Sequence, residues 1–420
     1  MARALTPNDA HVLINSIAKE ATGQEPAIKA TDTSSFVSVG ETILNTGTEN
    51  TLNSLSIVLG RTFAAVRPYG AKLKIISALN SGAYTNRVRK ISYYSREALP
   101  AGDWNTQLFT ENLKDGAENT GTDHATKSQW EQNQPIPLEV NFGGSSVWQD
   151  STTVYEYQLK EAFRDETSFN AFVTGIMTEK ANDMETQKES FNRMTLLNYI
   201  GGIYDMSASM PKSVINLTEA YNTKFGTSYT SEQLRTTYLK SFLEFFVATF
   251  KTTSKQLTNR TANYHAAPEV PGHALLRHTP MGKQKAILYE PLFIDAEAQV
   301  LPEIFNENML KMENYEPVLY WQNFNEPTKI SITPAIPDFS TGLQKAGTAV
   351  ALDYVVGILY DTDALMTDYQ LESAYSTPIE ARKRYRNVWW SYKRNAINDF
   401  TENAVLFIMK DPDPGKAVKK

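Results

Sequence analysis

A chain of 420 residues, 41% hydrophobic and 21% charged, can hold two or three domains with a sizeable core and still carries much polar length outside it. Its 41 Lys and Arg against 47 Asp and Glu give a net charge of −6, which argues against a dedicated nucleic-acid binder. It has no cysteine, which excludes disulfides, thiolate metal sites and cysteine nucleophiles; no apolar run reaches the ~18 residues of a membrane span, and the first residues lack the apolar stretch of a secretion signal.

Thr6-Pro7-Asn8-Asp9 reads as a helix start, with a cap, a proline in the first turn and an early acid. Ala10, Leu13, Ile14 and Ile17 follow at spacings of three and four, a short apolar face that needs a partner surface. Residues 23–51 are rich in Thr, Ser, Gly and Asn, have little periodicity and are expected to build no core of their own. They read as a disordered leader or as an arm lying on a neighbouring subunit. Residues 52–66 turn apolar again and predict a helix.

Arg87 to Tyr94 and Pro135 to Phe142 read as strands. In the second, Ile136, Leu138, Val140 and Phe142 alternate with Pro137, Glu139 and Asn141, the pattern of a half-buried strand. Between them, residues 95–134 have turn-like composition, and so long an excursion is unusual inside a compact domain. It becomes natural if the strands form a projecting hairpin whose tip rests on another molecule, with Trp104, Phe109 and Trp130 as contact residues.

From Ser168 to Ile200 there is no proline, and Phe169, Phe172, Val173, Ile176, Met177, Ala181, Met184, Phe191, Met194 and Leu197 form one stripe. The spacing predicts a helix of roughly 50 Å, capped at its start by Asp165, Thr167 or Ser168 and ended by Gly201-Gly202, lying across a sheet. Thr230, with Gln233 placed for a capping box, opens a further helix buried through Phe242, Phe245, Phe246 and Phe250. Residues 268–290 are broken by prolines, 295–312 suggest short helices, and strands are expected near 318–321, 329–333 and 354–360.

The five histidines fit no metal spacing: His273 and His278, five apart, match neither the helical two-His pattern nor a zinc finger. No nucleophile elbow, phosphate loop or dinucleotide fingerprint is present. Asp361-Thr362-Asp363 could bind a cation, but reads first as Asp363 capping a short helix from Ala364. No catalytic residue, metal or cofactor is expected.

Residues 376–410 carry the densest signal. Arg382, Lys383, Arg384, Arg386, Lys393 and Arg394 lie among Tyr385, Trp389, Trp390 and Tyr392; a turn at Asn398-Asp399 leads to the apolar strand Ala404 to Met409. Interleaved cations and aromatics suit single-stranded nucleic acid or a subunit boundary with acids next door, and the negative net charge favours the boundary.

The order of these elements resembles the major capsid protein of tailed bacteriophages, an α+β chain with the Johnson-type capsid fold. The resemblance is most specific where Tyr354-Val-Val-Gly-Ile-Leu-Tyr360 looks like a late axial-domain strand. Val388-Trp-Trp-Ser-Tyr392 and Ala404-Val-Leu-Phe-Ile408 look like final peripheral-domain strands. It implies an N-terminal arm (1–75), an extended β-hairpin loop (76–152) and a peripheral domain with a spine helix (153–212). An axial domain (213–375), peripheral return strands (376–410) and a C-terminal tail (411–420) follow. It further implies a non-enzymatic shell protein forming pentamers and hexamers of an icosahedral shell around double-stranded DNA. Its partners are then a portal and, since no long acidic helical leader is present, a separate scaffolding protein. The site is the virion, after assembly in the host cytoplasm, with no membrane partner. One rival is an encapsulin-like compartment. Another is a carbohydrate- or solute-binding protein using Trp104, Trp130, Trp148 and Trp321 as a platform.

Overall fold

The computed structural model describes residues 7–23, 28–45, 72–81, 87–96, 134–144, 146–163, 166–271, 273–299 and 315–411. In chain order these form helices α1 (Pro7–Thr22) and α2 (Thr33–Asn45), then strands β1 (Ser77–Leu79), β2 (Arg87–Tyr93), β3 (Ser95–Arg96), β4 (Pro137–Gly143) and β5 (Ser146–Tyr155). Helices α3 (Glu156–Ala162) and α4 (Glu166–Asp205) lead to β6 (Val214–Asn216), α5 (Leu217–Phe225), α6 (Ser231–Arg235) and α7 (Leu239–Leu257). The remainder comprises β7 (His273–Ala274), β8 (Gln284–Tyr289), α8 (Glu290–Gln299), β9 (Tyr315–Val318), β10 (Ile330–Ile332), β11 (Ala335–Asp338) and β12 (Leu343–Ala346). It ends with β13 (Val350–Leu352), β14 (Val355–Asp361), β15 (Leu365–Ser376), β16 (Tyr385–Asn398) and β17 (Ala404–Ile408).

Two sheets organise the molecule. One has the order β1-β15-β16-β5, the other β6-β17-β14-β8-β9. In the second, every residue of β14 and β17 is buried, as expected of strands covered on both faces. It forms the main core with Phe242, Phe246 and Phe250 of α7. A smaller core joins Ile14 and Ile17 of α1, Phe36, Val39 and Ile43 of α2, Phe169 of α4, and Val388, Trp390 and Tyr392 of β16.

Helix α4 belongs to both cores. Its 40 residues correspond to about 60 Å at 1.5 Å per residue. Phe169 and Met184 enter the small core, whereas Leu196, Leu197, Tyr199, Ile200 and Ile203 enter the main one. The second half departs from the expected single stripe: Leu196, Tyr199, Ile200 and Ile203 are buried around the helix, whereas Met194 is exposed. Gly201 and Gly202 do not end the helix, which runs on to Asp205. They are the points where Ile332, Pro334 and Phe400 come against its backbone, leaving no room for a Cβ.

Three further expectations are corrected. Part of 23–51 does build core, because Phe36, Val39 and Ile43 repeat at three and four within α2 and have α1 and α4 to pack on. Asp363 caps no helix: residues 362–364 turn and Leu365 starts β15. Asp361 organises that turn, accepting the Asp363 N–H at 2.9 Å and the Thr279 hydroxyl at 2.7 Å. Finally, β16 and β17, expected together, lie in different sheets, β17 between β14 and β6. The capping box at Thr230 is present in both directions, Gln233 N–H to Thr230 Oγ1 at 3.2 Å and Thr230 N–H to Gln233 Oε1 at 2.9 Å. The helix predicted over 52–66 and most of 295–312 and 95–134 lie outside the described residues.

Candidate assembly surface

Strand β16 is central in its sheet, so its side chains alternate between two faces. Arg386, Val388, Trp390, Tyr392 and Arg394 turn inward, with Arg386 and Trp390 each 4% and Arg394 2% exposed. Trp389 and Lys393 turn to the other face. The six cations therefore do not form one surface. Lys180 of α4 lies 5.7 Å from the Trp390 ring and 2.7 Å from Asp150, which closes the inner side. The Arg394 guanidinium lies 5.1 Å from the Tyr392 ring centre and 5.7 Å from that of Tyr369. Burial holds Arg394 below the usual arginine range, against the opposing pull of Tyr369 and Glu372.

Arg382, Lys383 and Arg384 sit exposed in the turn before β16. Arg384 has a left-handed backbone, φ 52°. The Lys383 N–H donates to the Glu380 carboxylate at 2.6 Å. Beside this basic corner the outer face of the sheet carries Tyr155 and Tyr385, ring centres 5.8 Å apart. Tyr375 lies opposite Trp389, which lies opposite Ser151. Tyr375, Trp389, Leu371 and Val147 are all exposed. Large aromatic side chains beside cations are the composition of a contact surface.

The expected hairpin is present at its base: β2 and β4 pair antiparallel from Arg87↔Gly143 to Tyr93↔Pro137. Trp104, Phe109 and Trp130 lie outside the described residues. The base is fixed to the body by groups the sequence did not single out. Lys90 Nζ reaches both Asp399 and Glu402 in the turn before β17. Arg277 joins Glu402 at 3.4 Å and donates to the Ser92 hydroxyl at 2.7 Å. The Tyr94 hydroxyl donates to the Pro268 carbonyl at 2.9 Å. Burial pushes Lys90 down, but the two carboxylates outweigh it and hold it above its usual value. Burial raises Glu402, against Lys90 and Arg277. The cue in the sequence was slight: Lys90 shares its strand face with Val88 and Ser92.

Trp321 is fully buried, its indole N–H donating to the Val355 carbonyl at 2.9 Å, so it cannot stack on a sugar. Among the described residues no His, Asp or Glu group is arranged to hold a metal ion, and no helix is long and apolar enough to cross a membrane.

Two cores threaded by one long helix, a hairpin clamped at its base and a bare aromatic sheet face describe a capsid subunit of the tailed-phage kind. Residues 77–408 match the family model of the Phi29-like phage major capsid protein, and the chain belongs to that family. No curated protein matches it in sequence. Similar solved structures include the capsid of Staphylococcus phage Andhra, with 10% identity, 81% of this chain and 84% of that chain covered, and a TM-score of 0.48. The structure of the head fiber and inner core protein gp22 of native bacteriophage P68 gives 10%, 81%, 85% and 0.47. The mature capsid of bacteriophage PhiM1 gives 8%, 82%, 89% and 0.43.

Proposed function

We propose that copies of this major capsid protein close into pentamers and hexamers of an icosahedral shell around double-stranded DNA. The division into N-terminal arm (1–75), extended loop (76–152), peripheral (153–212 and 376–410) and axial (213–375) parts is carried into this reading, except that β17, in the sheet of β14 and β8, goes with the axial part. A portal protein and a separate scaffolding protein are the further partners, assembly takes place in the host cytoplasm, and the protein has no catalytic role. The observation that supports it best is the uncovered face of the β15-β16-β5 sheet, where Tyr375, Trp389 and Tyr155 are exposed next to Arg382, Lys383 and Arg384. Such a face gains by burial against a neighbour, and many such contacts sum through multivalency. A net charge of −6 also leaves the wall free of a general attraction for DNA that would hinder packaging. Family membership disfavours the encapsulin reading.

The test is electron microscopy of the purified protein after light scattering, expressed alone and with its neighbouring genes. Closed shells, rings of five or six, or tubes are expected. A monodisperse monomer of about 47 kDa under both conditions would sink the reading.

A further inference from the structure

Sheet edges are templates for unwanted pairing, and folded proteins keep them short, charged or interrupted by proline. Among the described residues, three of the four edges of the two larger sheets obey this: β1 and β6 have three residues each and β9 has four. The fourth, β5, does not. It has ten residues, Ser-Val-Trp-Gln-Asp-Ser-Thr-Thr-Val-Tyr, with no proline and a single charge, Asp150, which is paired with Lys180. Val147 is 62% and Trp148 52% exposed, so side chains on both faces of the strand reach solvent.

The backbone parity is fixed by three bonds. Glu156 N–H donates to the Arg384 carbonyl at 3.0 Å, so even-numbered residues face β16. Asn387 N–H, at an odd position of β16, turns the opposite way, to Thr377 Oγ1 at 3.1 Å. Ser151 N–H turns away from β16 to Asp150 Oδ1 at 2.7 Å. In an antiparallel ladder the N–H and C=O of one residue point the same way. Val147, Gln149 and Thr153 therefore direct their N–H and C=O outward, and Tyr155 its N–H, along an edge that no other described strand pairs with.

We propose that this edge is completed in the shell by an extended strand from a neighbouring copy of the chain, which continues the β1-β15-β16-β5 sheet by strand addition. The inference rests on the capsid reading, since a shell subunit meets other copies of itself at fixed spacing. The occupant has to be an extended backbone, because what β5 offers is a row of backbone donors and acceptors rather than a pocket. Its low charge sets no electrostatic bar to another strand of this acidic chain. A subunit fated to assemble has no need of the short or charged edges that β1, β6 and β9 keep.

The test is residue-resolved hydrogen exchange on the wild-type protein, as free subunits and as shells. The amides of Gln149, Thr153 and Tyr155 should exchange about tenfold or more slowly in shells, while those of Trp148 and Thr152 are protected in both states. Equal exchange of the odd amides in both states overturns the proposal. So does protection already complete in the free subunit, which would mean that the chain covers its own edge. Gln149→Pro and Thr153→Pro remove outward N–H groups that β16 does not use. Each should leave a folded subunit that fails to form shells, and normal shells from both variants would equally overturn the idea. Shells whose odd amides exchange freely defeat strand addition alone. If microscopy finds no shells, the capsid reading fails and this proposal goes with it.

Discussion

Gly202 of the long helix lies beneath the ring of Phe400: a Cβ at Gly202 would fall inside van der Waals contact of Phe400 Cζ and Cε1. Phe400 also meets the Tyr199 ring at 5.2 Å, so the turn between β16 and β17 is seated on α4. In an open helix, Gly→Ala is stabilising by about 1 kcal/mol. Here overpacking of ~1–3 kcal/mol opposes that gain and exceeds it, because the obstacle is a buried ring packed on Tyr199. Gly202→Ala should therefore lower the urea midpoint of the subunit, and adding Phe400→Leu should restore part of the loss. A midpoint that rises would mean the ring moves freely.

His265 supplies a pH dependence. It is buried, with Nδ1 3.0 Å from Asn403 Oδ1 and Nε2 2.9 Å from the Leu275 carbonyl. Burial holds its pKa below the usual 6.5, against the raising effect of both hydrogen bonds. The fold thus favours the neutral ring. That contribution is full above the unfolded value near 6.5 and is lost as pH falls from there through the lower folded value. One proton limits the slope to about 1.4 kcal/mol per pH unit. Glu402, raised by burial, works in the opposite sense at lower pH, favouring the fold as it protonates. The stability difference between wild type and His265→Gln should therefore shrink as pH is lowered from about 7 to about 5. Parallel curves would show that the ring is not held neutral.

Much of this architecture was legible because its signals are local. The Thr230 capping box spans three residues, and the alternation of Ile136, Leu138, Val140 and Phe142 declares its own strand. What failed needed partners distant in sequence. Phe36, Val39 and Ile43 repeat correctly but sit among Ser, Thr and Gly, and only α1 and α4 make them core. Gly201-Gly202 looks like a stop until Ile332 and Phe400 are known to press on it. Lys90 finds its acid partners about 310 residues away. For the basic strand the cue was present but unused: the six cations read as one set at a subunit boundary, whereas Arg386 and Arg394 share the parity of Val388, Trp390 and Tyr392, which marks them as inward.

That parity separates two sets of cations by experiment. Arg394→Ala removes a buried guanidinium from two tyrosine rings and should cost about 3 kcal/mol, with Arg394→Met much milder because the apolar replacement refills the space. The combined change Arg382→Gln, Lys383→Gln and Arg384→Asn touches exposed groups, with Asn suited to the left-handed position. It should leave unfolding within about 0.5 kcal/mol of wild type while weakening assembly. Normal assembly with reduced DNA retention would assign this corner to DNA instead.

The segment entering the body at residues 72–77 is held chiefly by Glu316, with Glu189 accepting the Lys72 N–H at 3.3 Å. Glu316 accepts the N–H groups of both Leu73 and Ile75, the latter at 2.8 Å, and Lys285 Nζ donates to the Ile75 carbonyl and to Ser77 Oγ. Leu73 is fully buried and left-handed, φ 61°, a conformation that a leucine keeps only when its surroundings impose it. Removing both acceptors with Glu316→Ala should leave two part-buried donors unpaired, at up to about 1–3 kcal/mol each, and let this segment open while both sheets persist. Lys72 and Lys74 flank Leu73, so trypsin reports the opening directly. Cleavage after Lys74 in the free subunit should be at least ~10-fold faster in Glu316→Ala, since 1.4 kcal/mol of lost protection corresponds to tenfold in the open population. Unchanged cleavage, with the circular-dichroism melt also unchanged, would show that Lys285 and the burial of Leu73 hold the segment without Glu316.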